Sequence, residues 1–190
     1  MKLLLHTCCA PCAIPVLRET RKESIKTSGF FYNPNIHPLS EFRKRERFAK
    51  SLFKKERLPF IRFPSPQEEF FLITSLSCEA PLRCEACWML RLRKTAEFAR
   101  QKKFEAFTTT LLASPYQNHE KIKAICVYLA KEQGVEFFYR DFRTFFKEAH
   151  REARNQGIYC QNYCGCVFSM IEREEERKSK IKNQKSNIKA

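Results

Sequence analysis

The sequence predicts an α/β fold: three layers, with a mostly parallel sheet and helices on both faces. Short apolar segments of strand length alternate with longer helical segments along the chain, and this alternation is typical of parallel sheets. The 190 residues, 43% of them hydrophobic, suffice for one domain with a buried core. Polar and thiol side chains follow several predicted strands, where open α/β sheets bind their ligands.

Proline and apolar spacing define the elements of the first half of the chain. Pro34 and Pro38 exclude a helix directly after the second strand, and Ser40 is placed to cap the helix that follows. The apolar residues of that helix share one face, and they are Phe42, Ala49, Leu52 and Phe53. The predicted strands are 2–5, 25–31 and 59–63, and the predicted helices are 13–21, 41–56, 67–74 and 83–102.

The second half continues the alternation and ends in a basic tail. Gly134 is a natural stop for the helix before it. The predicted strands are 104–110 and 135–139, and the predicted helices are 118–133, 144–155 and 166–178. We expect residues 1–176 to form a single catalytic α/β domain. The tail, 177–190, has six Lys or Arg and no acidic residue, and we expect it to be disordered.

The basic charge belongs to the body of the chain as well as to its tail. The whole chain has 36 basic and 21 acidic residues, a net charge of +15. Removing the six basic residues of the tail leaves 30 against 21, or +9. This excess favours a polyanionic partner, most simply a nucleic acid; the alternative is an ordinary solvated surface.

Several protein classes are disfavoured by the sequence. No apolar run approaches the ~18 residues of a membrane span, and the first residues lack the apolar region of a signal peptide. We therefore expect a cytoplasmic protein whose ten cysteines are reduced and serve a metal or catalysis. With only four glycines and no GxxxxGK[ST] motif, ATP binding of the usual kind is disfavoured.

Three groups of cysteines have the spacing of metal ligands. The first group is Cys8, Cys9 and Cys12, in the turn between the first strand and first helix. The others are Cys84 with Cys87, and Cys164 with Cys166. Seven thiols exceed the four of one structural zinc site and suit an iron–sulfur cluster with ligands left for a second metal. Two zinc sites are the main alternative. Among the remaining cysteines, Cys126 is interpreted as a small core residue and Cys160 as a bystander, whereas Cys78 is left without an assignment.

Polar residues follow other strands and should meet the cysteine turn at one edge of a parallel sheet. Tyr32, Asn33 and Asn35 follow the second strand, and Asp141 follows the last one. The strand 104–110 ends in threonines. His6 ends the first strand and is either a metal ligand or a hydrogen-bonded structural histidine.

Six segments of the chain together resemble one known family. They are HTCCAPC at 6–12, YNPNI at 32–36, RCEAC at 83–87, TTL with SPY at 109–111 and 114–116, DFR at 141–143 and YCGC at 163–166. In this order they resemble the QueH epoxyqueuosine reductase family, over residues 2–173. One departure is Cys160, where the family usually has arginine.

The resemblance implies a fold, a reaction and cofactors. The fold is similar to adenine-nucleotide α-hydrolase and PP-loop proteins, with the cysteine turn in place of the phosphate loop. The implied reaction reduces epoxyqueuosine to queuosine in a tRNA anticodon loop, with a [4Fe–4S] cluster, a neighbouring iron or zinc ion and an external electron donor. The implied cluster ligands come from Cys8, Cys9, Cys84, Cys87, Cys164 and Cys166. Those of the second metal come from Cys9, Cys12, Cys84, Cys87, Cys164, Cys166 and Asp141.

Two roles remain to be assigned to residues on this interpretation. The epoxide oxygen needs a proton donor, and the candidates are Asp141, Tyr32 and His6. The tRNA phosphates need cations, which the helix 41–57 and the residues Arg91, Arg93 and Lys94 can supply. The alternatives are a zinc-stabilised nucleic-acid-binding module without catalysis, which the charge and CxxC pairs also fit, and a tRNA thiolation enzyme, which the absent ATP loop disfavours.

Overall fold

The sheet is five-stranded and parallel throughout, in the order β3-β2-β1-β4-β5. The structure, a computed structural model, describes residues 1–75 and 78–188, with side chains described as far as residue 181. The strands are β1 Lys2–His6, β2 Lys26–Phe31, β3 Phe60–Arg62, β4 Ala106–Thr109 and β5 Glu136–Phe137. The predicted parallel α/β fold is thereby confirmed.

The helices form two packed groups, because right-handed crossovers in opposite directions place them on opposite faces of the sheet. In one group α2 and α6 both contact α1, and in the other α3 and α5 both contact α4. The bounds are α1 Ala10–Lys22, α2 Leu39–Lys55, α3 Gln67–Thr74, α4 Leu82–Gln101, α5 His119–Gln133, α6 Phe146–Asn155 and α7 Val167–Ile188. Short 3₁₀ turns precede α5 and α6, at Thr110–Ala113 and Arg143–Phe145.

Some predicted helix ends are confirmed and others are wrong. Asn118 caps α5 by accepting from the Lys121 amide at 3.1 Å, and Gly134 ends it with φ of 62°. Ser40 is not the cap of α2, which begins at Leu39 after Pro38 and has no side-chain cap. α7 runs past the predicted end at Lys178 to Ile188, so the tail is helical as far as Ile188. Residues 189–190 lie outside the described part of the chain. The division into domain and tail stays a prediction.

The strand order creates a crevice where α/β proteins bind ligands. β1 and β4 are neighbours, but the chain leaves them toward opposite sides of the sheet. Ligands bind outside the carboxyl ends of the strands at such a switch point. The core beneath it is apolar and closed, with Leu3, Leu4, Leu5 and Phe107 fully buried. Among the helices of the described residues, none has the length and apolarity to cross a membrane.

Candidate metal and substrate site

A cleft of about 930 Å³ opens at this switch point. One side of its lining comes from Cys8 in the turn after β1, from Cys12 near the start of α1, from Thr110 after β4, from Arg91 on α4 and from Cys164 before α7. The facing wall comes from α6 and α7, and its residues are Phe146, Lys147, His150, Arg151, Arg154, Ser169, Glu172, Arg173 and Glu176. Two of the thiol groups thus border the cleft on one side, and a largely basic wall borders it on the other.

The first thiol group is tied to the end of β4. Cys8 donates from its amide to Thr110 Oγ1 at 3.1 Å, and its Sγ lies 3.2 Å from the same oxygen. The Sγ atoms of Cys8 and Cys9 are 3.9 Å apart. The adjacent thiol of Cys9 and burial raise the pKa of Cys8, and the adjacent thiol of Cys12 and burial raise that of Cys9. These thiols therefore keep their protons until a metal displaces them.

The second and third thiol groups are neighbours. Cys87 and Cys166 are buried in one small cluster with Phe70. Burial raises the pKa of Cys87 to about 12, and the nearby sulfurs of Cys164, Cys166 and Cys84 add to the rise. Burial and then Cys164 likewise raise the pKa of Cys84. Among the described residues, however, no three His, Cys, Asp or Glu side chains stand at the spacing that holds a metal ion.

Arg91 brings a buried positive charge to the thiols. It is 1% exposed, donates from Nε to the Cys87 carbonyl at 3.2 Å, and has no partner for Nη2 among the described residues. Burial opposes its charge, yet the sulfurs of Cys87, Cys164 and Cys8 raise its pKa on balance. A buried charge needs a compensating one, and the thiol groups are its neighbours. The structure corrects the expectation that Arg91 is a surface contact for phosphates.

Arg45 holds the loop of the third thiol group in place. It is 1% exposed and pairs through Nε with Glu41 at 2.7 Å. Its Nη1 and Nη2 donate to the carbonyls of Cys164 at 2.8 Å and Tyr163 at 3.1 Å. On sequence alone, Arg45 counts only as one of the cations of the helix 41–57. It lies, however, on the apolar face of that helix, at helical spacing between Phe42 and Ala49.

Amide side chains support the thiols further. Asn33 donates to the carbonyl of Thr7 at 2.9 Å, which fixes the cysteine turn against the end of β2. Gln161 Nε2 donates to Cys9 Sγ at 2.9 Å, and Gln117 Nε2 lies 3.6 Å from Cys164 Sγ. The position of Asn33 at this edge was predicted; the two glutamines were not, and their only sequence signal is proximity to the motifs.

Two of the predicted proton donors are held inside the sheet edge. His6 Nδ1 lies 2.9 Å from Thr109 Oγ1 and its Nε2 lies 3.3 Å from the Tyr32 carbonyl. Burial, and then Arg91, lower its pKa to about 3, so the imidazole is neutral. The Tyr32 hydroxyl donates to Glu69, and burial raises the pKa of this phenol. Neither side chain lines the cleft. This geometry fits structural roles, and their catalytic role stays a prediction.

Asp141 is engaged with its own loop. Its Oδ1 accepts from the Arg143 amide at 3.0 Å and from Arg143 Nε at 2.9 Å. The Arg143 guanidinium holds the pKa of Asp141 at about 2, so the carboxylate is ionised at neutral pH and has no proton to donate. It does not line the cleft, because β5 is the edge strand and β4 separates it from β1. The expectation that Asp141 meets the cysteine turn in the cleft is therefore wrong. Its role as a metal ligand stays a prediction of the family resemblance.

Replacing Asp141 with alanine should therefore cost stability rather than metal. We expect a loss of about 1 kcal/mol, typical of a lost intramolecular hydrogen bond, with unchanged metal content. Because its folded-state pKa lies below the ordinary value, Asp141 stabilises the fold at neutral pH, and this stabilisation fades as pH falls toward 2. Urea unfolding at pH 7 and pH 3 measures the difference. A variant of normal stability that lacks one metal contradicts this interpretation.

Fold and site define an α/β protein that carries cysteines where nucleotide-binding sheets place a phosphate loop. Residues 3–172 match the family model described as Epoxyqueuosine reductase QueH. The chain belongs to this family, as the motifs of the sequence predict.

Relatives with this name match nearly the whole chain. The one from Thermotoga maritima is 38% identical over 92% of this chain and 93% of its own length. The one from Dehalococcoides mccartyi is 35% identical over 90% of this chain and 94% of its own. Among solved structures, a tRNA methyltransferase subunit from Methanocaldococcus jannaschii is 9% identical, with a TM-score of 0.49 over 86% of this chain and 94% of that chain. A likeness of this size says nothing about activity.

Proposed function

We propose that this protein reduces the epoxide of epoxyqueuosine in the anticodon loop of tRNA and so forms queuosine. The observation that carries the proposal is the family match over residues 3–172, in a chain whose thiols border the cleft at the sheet's switch point. The relatives are named for this reduction, and reduction makes the protein an oxidoreductase. A zinc module without catalysis explains the charge and the thiols, but not the family.

The reaction removes one oxygen atom from the substrate. Both carbon–oxygen bonds of the epoxide break, a carbon–carbon double bond forms, and the oxygen leaves as water. The balance requires two electrons and two protons, so an external electron donor must bind or reach this site. When bound, a [4Fe–4S] cluster held by thiolates would supply one-electron transfer, and a second metal ion would supply a Lewis acid for the epoxide oxygen.

The residues present fit such a group by the chemistry of their side chains. Thiols are the usual ligands of iron–sulfur clusters, and three groups of them lie at or beside the cleft. A cluster with thiolate ligands is anionic, and buried Arg91, whose Nη2 has no partner in the described part of the chain, would supply the opposite charge. The cysteines that would hold the cluster and the second ion are those of the three groups: Cys8, Cys9, Cys12, Cys84, Cys87, Cys164 and Cys166.

The chain's own groups orient these ligands and admit the substrate. Arg45 fixes the loop before α7, and Gln161 donates a hydrogen bond to Cys9 Sγ, as second-layer groups do at metal sites. The cleft between the thiols and α6 is open to solvent, and a loop base can be splayed out of an RNA to enter a pocket of this kind.

Conversion of the nucleoside tests the proposal. Anaerobically prepared protein, a chemical one-electron reductant and tRNA containing epoxyqueuosine are incubated together, and the digested nucleosides are analysed by mass spectrometry. We expect the loss of one oxygen atom from the modified base, dependent on both protein and reductant. Protein that carries its metals and leaves the epoxide intact under these conditions contradicts the proposal.

A further inference from the structure

The helix α6 presents three cations to the cleft. Lys147, Arg151 and Arg154 are exposed, line the cleft, and form no ion pair with another described residue. They are spaced four and three residues apart, so they share one face of the helix. The acidic residues of α6 are used elsewhere, since Glu148 pairs with Arg18 at 2.6 Å and Glu152 accepts from Gln156 at 2.8 Å.

An exposed aromatic ring stands beside these cations. Tyr116 also lines the cleft and is 83% exposed. Its ring lies edge-on to Phe146, with centroids 5.7 Å apart at 82°, and Phe146 in turn lies 4.1 Å from His150. Aromatic rings next to cations are the means by which proteins hold unpaired bases of RNA.

We propose that α6 and Tyr116 form the RNA-binding wall of this cleft. Lys147, Arg151 and Arg154 bind backbone phosphates, and Tyr116 stacks on a base that neighbours the modified one. The assignment rests on the proposed function for the identity of the RNA. Across seven residues the cations extend roughly 10 Å along the helix, which suits consecutive phosphates of a loop.

The cations predicted from the sequence are less suited to this role. Arg93 pairs with Glu132 at 2.8 Å, and Lys94 pairs with Glu97 at 3.5 Å. The cations of α2 do not line the cleft. A bound anticodon loop must reach the cleft, so its nearest phosphates meet α6.

A charge-matched pair of triple variants tests this wall. One carries Lys147→Gln, Arg151→Gln and Arg154→Gln, and the control carries Arg43→Gln, Lys50→Gln and Lys54→Gln, three cations of α2 that are likewise exposed. Affinity for an unmodified anticodon stem-loop RNA is measured at several salt concentrations, with folding and metal content checked in both proteins. We expect the α6 variant alone to bind at least about tenfold more weakly.

In the α6 variant, the slope of log affinity against log salt concentration should also become shallower by about 2, because three phosphate contacts that each contribute about 0.7 to the slope are lost. Tyr116→Ala should weaken binding roughly tenfold without changing this slope.

The outcomes separate this wall from the proposed function. Equal losses in the two triple variants mean that only net charge matters and overturn the inference. Unchanged RNA affinity with slower reduction by a protein electron donor assigns the wall to an acidic redox partner, which also overturns it. If wild-type protein leaves epoxyqueuosine intact but only the α6 variant loses RNA affinity, the wall stands and the proposed function fails.

Discussion

Replacing any one of Cys9, Cys84, Cys87, Cys164 or Cys166 with alanine should abolish most of the epoxide reduction. These residues belong to the thiol groups at or beside the cleft, and each substitution would remove one of the ligands proposed for the cluster and the second ion. Changes to groups that merely orient ligands already cost about 10- to 100-fold, so we expect losses above about 100-fold in turnover. Iron and acid-labile sulfide should fall in parallel, and both are measured in anaerobically prepared protein.

Cys126→Ala is the matched control for these variants. Cys126 is fully buried on α5 among apolar residues, and burial alone raises its pKa. Its replacement should leave iron and turnover near the wild-type values and lower stability only slightly. Normal iron content and turnover in all five variants contradict the assignment of the thiol groups.

Replacing Arg45 with methionine should produce the largest loss of stability. The change leaves the Glu41 carboxylate, whose side chain is 10% exposed, without its cation, and the carbonyls of Tyr163 and Cys164 without a donor. Removing one partner of a buried ion pair typically costs about 3–5 kcal/mol. We expect a loss in this range from urea unfolding, together with reduced iron content because the Cys164 loop is no longer fixed.

A second substitution separates the two effects of this change. Adding Glu41→Gln to Arg45→Met removes the unpaired charge, so stability should partly recover while the loop remains unfixed and iron stays low. Arg45→Met protein with stability within about 1 kcal/mol of wild type and normal iron content contradicts the role given to Arg45.

The order of elements was predictable because apolar spacing, proline and glycine mark it locally. The bounds of α3, 67–74, were predicted as the structure has them, and Asn118 and Gly134 delimit α5 as expected. Where the prediction for α2 was wrong, Ser40 looked like a suitable cap but lies inside a helix that begins at Leu39. Capping preference cannot distinguish neighbouring polar positions when a proline already directs the chain into the helix.

The site was predictable where its functional residues belong to short sequence motifs. Each cysteine group has the spacing of metal ligands within a few residues, and the position of the first group after β1 follows from the fold. The burial of Arg45 and Arg91 depends on elements far away in the chain, such as the Cys164 loop. The basic wall of α6 is likewise visible only once the cleft opposite it is known, since Glu148 and Glu152 offset most of the charge of the helix in the sequence.

Metal analysis of the wild-type protein tests the central claim most directly. The claim is that the grouped thiols hold an iron–sulfur cluster at the cleft. Anaerobically purified protein should be brown, with broad visible absorbance and about four iron and four sulfide per chain for the cluster, plus one further metal ion. Colourless protein with stoichiometric zinc and no sulfide contradicts the claim and favours a zinc-stabilised binding module.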